Sequence, residues 1–354
     1  MPNLDLSTTS AELTRALCDI ESVSGNEQGI ADTIAAALAD FPHLEVTRDG
    51  NTIVAKTNLG RDARVLIAGH IDTVPVNKNL PTRMDGDFLV GRGTVDMKGG
   101  VAVQLKLAAE LVEPAVDVTW IWYDNEEVDD SLNGLGRLAR NHPDLLRGDF
   151  AILGEPTNGV VEGGCNGTLR VELRTTGLRA HSARAWVGRN AIHVAAGILS
   201  VLADYLPREV EVDWLVYRES LNAVGISGGV AGNVIPDECT VTVNYRFAPN
   251  QSGSEALAHV RGLFPDVDCV LVDMAEGARP GLDSPLAKKF VAAIGGEAKP
   301  KYGWTDVARF SAMGIPAVNY GPGDPMLAHA DDERVDTNQI VDCERGLRAW
   351  LSGA

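Results

Sequence analysis

Short apolar segments alternate with helical stretches along the first half of the chain, and this alternation constrains the fold more than any other feature. Residues 63–70, 117–124 and 148–156 have the length and apolar content of buried strands, and residues 97–112 have the pattern of a helix. Strands that alternate with helices form a mostly parallel sheet covered by helices on both faces. The sequence therefore predicts an α/β domain built on such a sheet.

The pattern changes near Thr168. From there the segments follow the order strand, helix, strand, strand, helix, strand. This is the βαββαβ order of a ferredoxin-like unit. After residue 281 the helix–strand alternation returns. We therefore expect a second domain, at residues 168–281, to be inserted into a first domain that comprises residues 1–167 and 282–354.

Composition excludes several classes of function. The 354 residues carry a formal net charge of −18, and such a polyanion repels nucleic acid and anionic membranes. No apolar run approaches a membrane span, and the N-terminus has a predicted capping box (Thr9 and Glu12) instead of a signal peptide. The five scattered cysteines are typical of a reduced, cytoplasmic protein and argue against a thiolate metal site.

Polar side chains lie where the predicted strands end. His70 and Asp72 end the first strand, Glu126 and Glu127 the second, and Glu155 the third. Ligands of parallel sheets bind beyond the carboxyl ends of the strands. These five residues are therefore expected at one edge of the sheet, around a binding site.

Two further residues complete the candidate set. Asp96 lies in a glycine-rich turn before a helix, and His329 lies in a Gly/Pro-rich loop after a late strand. Imidazoles and carboxylates together suit zinc, with cobalt or manganese as substitutes. Five ligands exceed the needs of one catalytic ion, so we expect two ions about 3.5–4 Å apart that share a carboxylate and a water. The expected ligands are His70, Asp96, Glu127, Glu155 and His329.

The adjacent glutamates raise the question of why two carboxylates follow one strand. Neighbouring side chains on a strand point to opposite faces, so Glu126 and Glu127 are expected to differ in role. With Glu127 on a metal, Glu126 is free to accept the proton of the water as general base. Asp72 is expected to accept a hydrogen bond from one nitrogen of His70, which leaves the other nitrogen for the metal.

The motifs also support a family resemblance. GHIDTVP (69–75), GRGTVDMKGG (91–100), DNEE (124–127), LGEPT (153–157) and the late His329 follow one another in the order of the M20 family of di-zinc aminoacylases and carboxypeptidases. The resemblance covers essentially the whole chain. It implies that Asp96 bridges the two metals, that His70 and Glu155 complete one site and Glu127 and His329 the other, and that the Asp96–Met97 peptide is cis.

The resemblance also implies roles outside the metal ligands. In the family, the histidine that matches His181 reaches the active site of the partner subunit and donates to the oxyanion of the tetrahedral intermediate. A homodimer formed through the inserted domain is therefore implied. Asn233, Arg246, Thr305 and Arg309 match family positions that hold substrate.

The segments GTLRV, RAHSARAW and GGVAGNVIPD are most similar to the branch of the family that removes a succinyl group from an amino acid. The implied reaction is hydrolysis of an amide in a small acidic substrate. The better-known form of this branch has an arginine pair just before the position of Gly167, where this chain has Cys165 and Asn166. Either another residue, such as Arg184, holds one carboxylate of the substrate in place of that pair, or the acyl group of the substrate differs. An N-acetyl amino acid deacetylase and a dipeptidase therefore stay open as alternatives.

Overall fold

The computed structural model describes residues 4–353, which contain nine α-helices and nineteen β-strands. The helices are α1 (Ser10–Cys18), α2 (Gln28–Leu38), α3 (Lys98–Glu110), α4 (Gly134–Asn141), α5 (Ala191–Asp204), α6 (Gly253–Leu263), α7 (Pro285–Ile294), α8 (Val307–Ala312) and α9 (Thr337–Leu351). The first strands are β1 (Glu45–Asp49), β2 (Thr52–Lys56), β3 (Arg64–His70), β4 (Arg83–Asp85), β5 (Phe88–Val90), β6 (Asp117–Tyr123), β7 (Phe150–Leu153), β8 (Glu162–Gly163) and β9 (Gly167–Thr176). The remaining strands are β10 (Ala180–His181), β11 (Glu209–Val212), β12 (Leu215–Arg218), β13 (Ser220–Gly228), β14 (Val234–Ile235), β15 (Glu238–Phe247), β16 (Asp268–Ala275), β17 (Lys299–Pro300), β18 (Ala317–Asn319) and β19 (Arg334–Asp336).

The chain forms two compact units. Unit 1 comprises the chain up to Gly163, the segment Pro280–Lys299 and the chain from Thr305 onward. Unit 2 comprises Gly164–Arg279 together with the short segment Pro300–Trp304.

Unit 1 is built on an eight-stranded sheet with the order β1-β2-β6-β3-β7-β18-β8-β17. The four central strands β6, β3, β7 and β18 run parallel to one another. Every residue of β6 and β7 is buried, so both faces of the sheet are covered. This arrangement confirms the predicted α/β class with a sheet that is parallel at its centre.

Helix α3 lies unusually close to the chain that follows β7. A Cβ atom at Gly100 would lie 2.1 Å from the carbonyl oxygen of Gly154, so only glycine permits this contact. Twelve of the thirteen residues of α3 are buried. The close approach brings the segment that carries Asp96 next to the segment that carries Glu155.

Unit 2 contains an antiparallel sheet with the order β13-β15-β9-β16. Along the chain, these strands and two helices follow the order β9, α5, β13, β15, α6, β16. Strands β9 and β15 alternate between buried and more exposed residues, and α5 and α6 pack on the sheet. The ferredoxin-like βαββαβ order predicted for this region is therefore confirmed.

The capping box predicted at the start of the chain is present. The side chain of Thr9 accepts a hydrogen bond from the amide of Glu12, whose carboxylate in turn accepts from the amide of Thr9, so the predicted capping box starts α1. Within residues 4–353, no helix combines the length and apolar character needed to cross a lipid bilayer.

Candidate metal centre

The central strands of unit 1 end at one edge of the sheet, and the candidate residues follow those ends. His70 is the last residue of β3 and pairs in register with Tyr123, the last residue of β6. Glu126 and Glu127 follow β6 within four residues, and Glu155 follows the parallel strand β7 by two residues. Because these strands are parallel, residues that are distant in sequence lie at the same edge of the sheet.

Asp96 lies between two imidazoles. Its Oδ1 is 3.0 Å from Nε2 of His70, and its Oδ2 is 3.4 Å from Nε2 of His329. His329 Nε2 is also 3.0 Å from Oε1 of Glu127. Of the residues the structure describes, His70, Asp96 and Glu127 form a group whose potential ligand atoms all lie within 4.8 Å of one another. The peptide bond after Asp96 is cis, as the resemblance implied.

The ionisable side chains at this site shift one another's pKa values. Burial alone lowers the pKa of His70, but hydrogen bonds to Asp72 and Asp96 outweigh it and hold the pKa well above its ordinary value. Hydrogen bonds to Asp96 and Glu127 raise the pKa of His329 to about 10. Burial opposes ionisation of Asp96, yet its hydrogen bonds to both histidines lower its pKa. The carboxylates therefore stabilise positive charge at the centre, which is what a cation site requires.

The contact between His70 and Asp72 has two parts. Nδ1 of His70 is 3.1 Å from the backbone carbonyl oxygen of Asp72 and 3.4 Å from its carboxylate Oδ1. An acceptor at Nδ1 places the proton of a neutral ring on that nitrogen. Nε2, which faces Asp96, is then the nitrogen able to bind a metal.

The turn after β6 directs the two adjacent glutamates. Asn125 has a φ of 58°, in the left-handed region, so the chain leaves the strand direction immediately before Glu126. The amides of Glu126 and Glu127 donate to Oδ1 and Oδ2 of Asp72 at 3.0 and 3.1 Å. Ser24 Oγ donates to the same carboxylate at 2.7 Å. One buried carboxylate therefore fixes the backbone of both glutamates.

Glu126 lies in a region of crowded negative charge. Burial raises the pKa of its carboxyl well above the ordinary value, the charge of His70 lowers it, and the charges of Glu155, Asp306 and Glu127 raise it again. Glu155 is itself buried and stands outside the three-residue group defined above. Its charge nevertheless acts on Glu126, so the two carboxyls belong to the same electrostatic environment.

Two candidate residues of unit 2 lie side by side. Strand β10 pairs with β14 so that His181 lies opposite Val234, and the amide of Ser182 donates to the carbonyl of Asn233 at 2.9 Å. The amide of Ala183 donates to Nδ1 of His181 at 3.0 Å. Because Nδ1 accepts, a neutral His181 ring carries its proton on Nε2. The exposed His181 therefore presents an N–H donor.

Arg246 lies on β15 between Ser220 of β13 and Thr168 of β9. Its guanidinium is partly buried, and burial lowers its pKa. Between residues 4 and 353, no hydrogen bond or ion pair joins this guanidinium to another residue. A desolvated cation of this kind favours an anionic ligand.

The other candidate residues have partners within unit 1. The buried Thr305 donates from Oγ1 to Oδ1 of Asn319 at 2.9 Å. Arg309 forms ion pairs with Asp130 and Asp306. An anionic ligand of Arg309 would have to share the guanidinium with these carboxylates.

Cys165 and Asn166 occupy the position of the arginine pair discussed above. Both are buried, and Asn166 Nδ2 donates to the carbonyl oxygen of Arg218 at 2.8 Å. Neither supplies a cation. Arg184 lies on an exposed 3₁₀ segment that begins at Ser182.

Sequence reasoning missed four residues that support the centre. Ser24 contacts Asp72, and the buried Glu27 accepts the amide of Asn125 at 3.3 Å. Arg92 and Glu333 form a buried ion pair. A serine or glutamate in a loop has no distinctive pattern. The one available signal was spacing, since Arg92 precedes Asp96 by four residues and Glu333 follows His329 by four.

The donor atoms fit a metal ion. Ligand atoms at about 2.0–2.2 Å from a tetrahedral zinc ion lie roughly 3.3–3.6 Å apart. The contacts among His70, Asp96, Glu127 and His329 are 3.0–3.4 Å. Nitrogen and carboxylate donors without thiolates are also the set that catalytic zinc uses. The two oxygens of Asp96 face different histidines, as a carboxylate that bridges two ions requires.

The fold and the donor set are those of a family of metal-dependent hydrolases. Residues 66–352 match Peptidase family M20/M25/M40, and the chain belongs to this family.

Two relatives align along essentially the whole chain. The succinyl-diaminopimelate desuccinylase of Corynebacterium glutamicum is 47% identical over 362 residues, covering 99% of this chain and 98% of the relative. A Mycobacterium tuberculosis protein, provisionally named a succinyl-diaminopimelate desuccinylase, is 55% identical over 353 residues, covering 99% and 100%.

The fold also resembles that of a solved structure. A Bacillus subtilis protein described as a dinuclear metal binding peptidase from the M20 family superposes with a TM-score of 0.72 at 16% identity. The alignment covers 97% of this chain and 96% of the other. The family match confirms the predicted family, and this superposition supports the predicted fold class.

Proposed function

We propose that this chain hydrolyses N-succinyl-L,L-2,6-diaminopimelate to succinate and L,L-diaminopimelate, with two zinc ions as cofactor. The substrate assignment is supported by relatives of that name at 47% and 55% identity over nearly the full chain. The observation that carries the reaction class is Asp96, whose two oxygens face His70 and His329. We also propose a cytoplasmic location, which the lack of disulfides among the five cysteines supports.

Asp96 would bridge the two ions. His70 and Glu155 would complete one position, and Glu127 and His329 the other. The ions would supply Lewis acidity to the scissile carbonyl and lower the pKa of a water molecule. Cobalt or manganese ions suit the same donors.

Glu126 would handle the proton. It neighbours Glu127 in the chain, and its amide donates to Asp72, which fixes the backbone of the turn that carries it. It would accept a proton from the attacking water and return it to the leaving amine as the amide C–N bond breaks.

His181 would stabilise the oxyanion of the tetrahedral intermediate. The hydrogen bond from Ala183 makes Nδ1 an acceptor, which leaves the Nε2 proton to donate. Loss of one oxyanion donor typically costs about 10²–10³ in kcat. Asn233, whose backbone contacts the chain next to His181, would contribute to substrate binding from the same part of unit 2.

A homodimer formed through unit 2 is also part of the proposal. Strand β13 is an edge strand and carries no charged side chain, although exposed edges of monomers usually carry charges that prevent pairing. Two of its apolar side chains and several from α5 are solvent-exposed. A second copy would cover this surface. The exposed residues are Val224, Ile226, Ile192, Val194, Leu199 and Val201.

Coexpression of two inactive variants tests whether His181 acts in the active site of the partner subunit. Glu126→Gln lacks the base and His181→Ala lacks the oxyanion donor. Coexpressed chains should recover about a quarter of wild-type activity, because half of the dimers are mixed and each mixed dimer has one complete site. Initial rates of the purified mixture measure this.

The matched control combines Glu126→Gln with Glu127→Gln. Both defects then lie in unit 1, so no pairing restores a complete site and activity should stay at background. Absence of recovery in the first mixture, despite mixed dimers shown by differential tags, would mean that His181 does not act across the dimer.

Arg246 would hold a carboxylate of the substrate. The proposed substrate has three carboxylates, and Arg246 is a partly buried cation without an internal partner among residues 4–353. In a chain of net charge −18, such local positive groups are needed to attract an acidic substrate.

Side-by-side initial rates on N-succinyl-L,L-diaminopimelate and N-acetylornithine test the substrate assignment. We expect a large preference in kcat/KM for the succinyl substrate. Arg246→Met should reduce kcat/KM for the succinyl substrate by about 10- to 100-fold, because a hydrogen bond between charged groups would be lost. A preference for the acetyl substrate would retain the amidohydrolase and move it to the deacetylase branch. Hydrolysis of neither substrate, with dipeptides accepted instead, would indicate a dipeptidase.

A further inference from the structure

A buried ion pair lies beside the metal centre in unit 1. Arg92 Nη1 is 2.7 Å from Oε2 of Glu333, and their side chains are only 4% and 0% exposed. Removing two charges from water is costly unless further hydrogen bonds compensate for the lost hydration. The other hydrogen bonds of these two residues therefore show what the pair does.

On one side, the pair fixes the backbone that carries Asp96. Oε1 of Glu333 accepts the amide of Val95 at 2.9 Å and the amide of Asp96 at 3.2 Å. Both amides belong to the turn that leads into α3. The carboxylate thus holds the backbone of the proposed bridging ligand.

On the other side, the pair holds the backbone of His329. Arg92 Nη2 donates to the carbonyl oxygen of His329 at 3.4 Å, and Nη1 donates to that of Ala330 at 3.3 Å. His329 has a φ of 63°, a left-handed conformation that is unfavourable for residues with a Cβ atom. The guanidinium supports the loop where the backbone is strained.

We propose that the Arg92–Glu333 pair is a positioning element that fixes His329 relative to Asp96 and so sets the affinity of the metal position that His329 completes. The inference rests on the proposed dinuclear site. The positioning role requires arginine in particular. A planar guanidinium donates to a carboxylate and to two carbonyl oxygens at once, whereas a lysine ammonium is a single point charge on a flexible stem.

Arg92→Lys tests this role, with Arg64→Lys as matched control. Arg64 also faces a buried aspartate (Asp117) and donates to backbone carbonyls, but it lies at the start of β3, the opposite end of the strand from His70. Stepwise zinc binding to the full-length metal-free protein, in competition with a chromophoric chelator, gives both affinities. We expect Arg92→Lys to weaken one equivalent by about 10- to 100-fold and to leave the other unchanged. Arg64→Lys should change neither.

The outcomes separate this inference from the proposed function. Wild-type affinities in Arg92→Lys, or an equal loss at both equivalents, would overturn the positioning role while leaving the dinuclear site intact. Fewer than two equivalents bound by the wild-type protein would overturn both. If Arg92→Lys is unfolded by circular dichroism, the double variant Arg92→Gln/Glu333→Gln, which leaves no unpaired charge, must show the same selective loss.

Discussion

Replacing Glu126 with glutamine should lower kcat by about 10²- to 10⁴-fold, the usual contribution of a general acid–base residue. Glutamine keeps the size of the side chain and one acceptor oxygen but cannot accept the proton of the attacking water. The amide of residue 126 would still donate to Asp72, so the turn should keep its shape. Both metal ions should therefore remain bound, as measured by elemental analysis after gel filtration.

The adjacent Glu127→Gln variant provides the contrast. Glu127 contacts His329 at 3.0 Å, so its loss should weaken one of the two metal positions as well as activity. Two neighbouring substitutions would then differ in metal content, one at two ions per chain and the other at fewer. A Glu126→Gln enzyme that held both ions and turned over at a near-normal rate would remove Glu126 from the role of base.

Asp96→Asn should reduce the bound metal to at most one ion per chain and abolish activity. An asparagine side chain has one acceptor oxygen and one NH₂ donor, so it cannot present an acceptor to both positions. The donor would instead face one of the histidines that now contact the carboxylate. We expect the second equivalent to weaken by more than about 100-fold, above the loss typical of residues that only support a ligand.

The measurement is a zinc titration of the metal-free variant together with its thermal unfolding. Zinc should raise the Tm of the wild-type protein, because a ligand that binds only the folded state stabilises it. The rise should be smaller for Asp96→Asn. Asp85→Asn, at an exposed position on β4, serves as the control and should behave as the wild type. Two tightly bound ions in Asp96→Asn would contradict the bridging role.

Much of the centre could be predicted because the relevant residues follow strand ends. The apolar runs before His70, Glu126 and Glu155 marked buried strands, and parallel strands bring their carboxyl ends to one edge regardless of their separation in sequence. Asp96 lies in a glycine-rich turn, and the structure shows that glycines of this segment, such as Gly100, approach other backbone groups closely. These are local signals of residue type and spacing.

The supporting contacts could not be predicted in this way. Asp72 accepts the amides of Glu126 and Glu127, and Glu333 accepts that of Asp96. A backbone amide is present at every non-proline position, so a carboxylate that binds one leaves no pattern in the sequence. The segment Pro300–Trp304 illustrates the same limit, since it groups with unit 2 although no periodicity distinguishes it from its neighbours.

The sequence by itself determined the α/β class and the ferredoxin-like order of unit 2, and it supplied the candidate nitrogen and oxygen donors, because periodicity and residue type depend on local chemistry. Only the tertiary structure decided that Asp96 faces His70 with one oxygen and His329 with the other, and that Arg92 and Glu333 hold the backbone around them. The contacts of Asp96 with His329 and of Arg92 and Val95 with Glu333 join segments more than 200 residues apart, and local sequence patterns carry no information on how such segments meet in the folded chain.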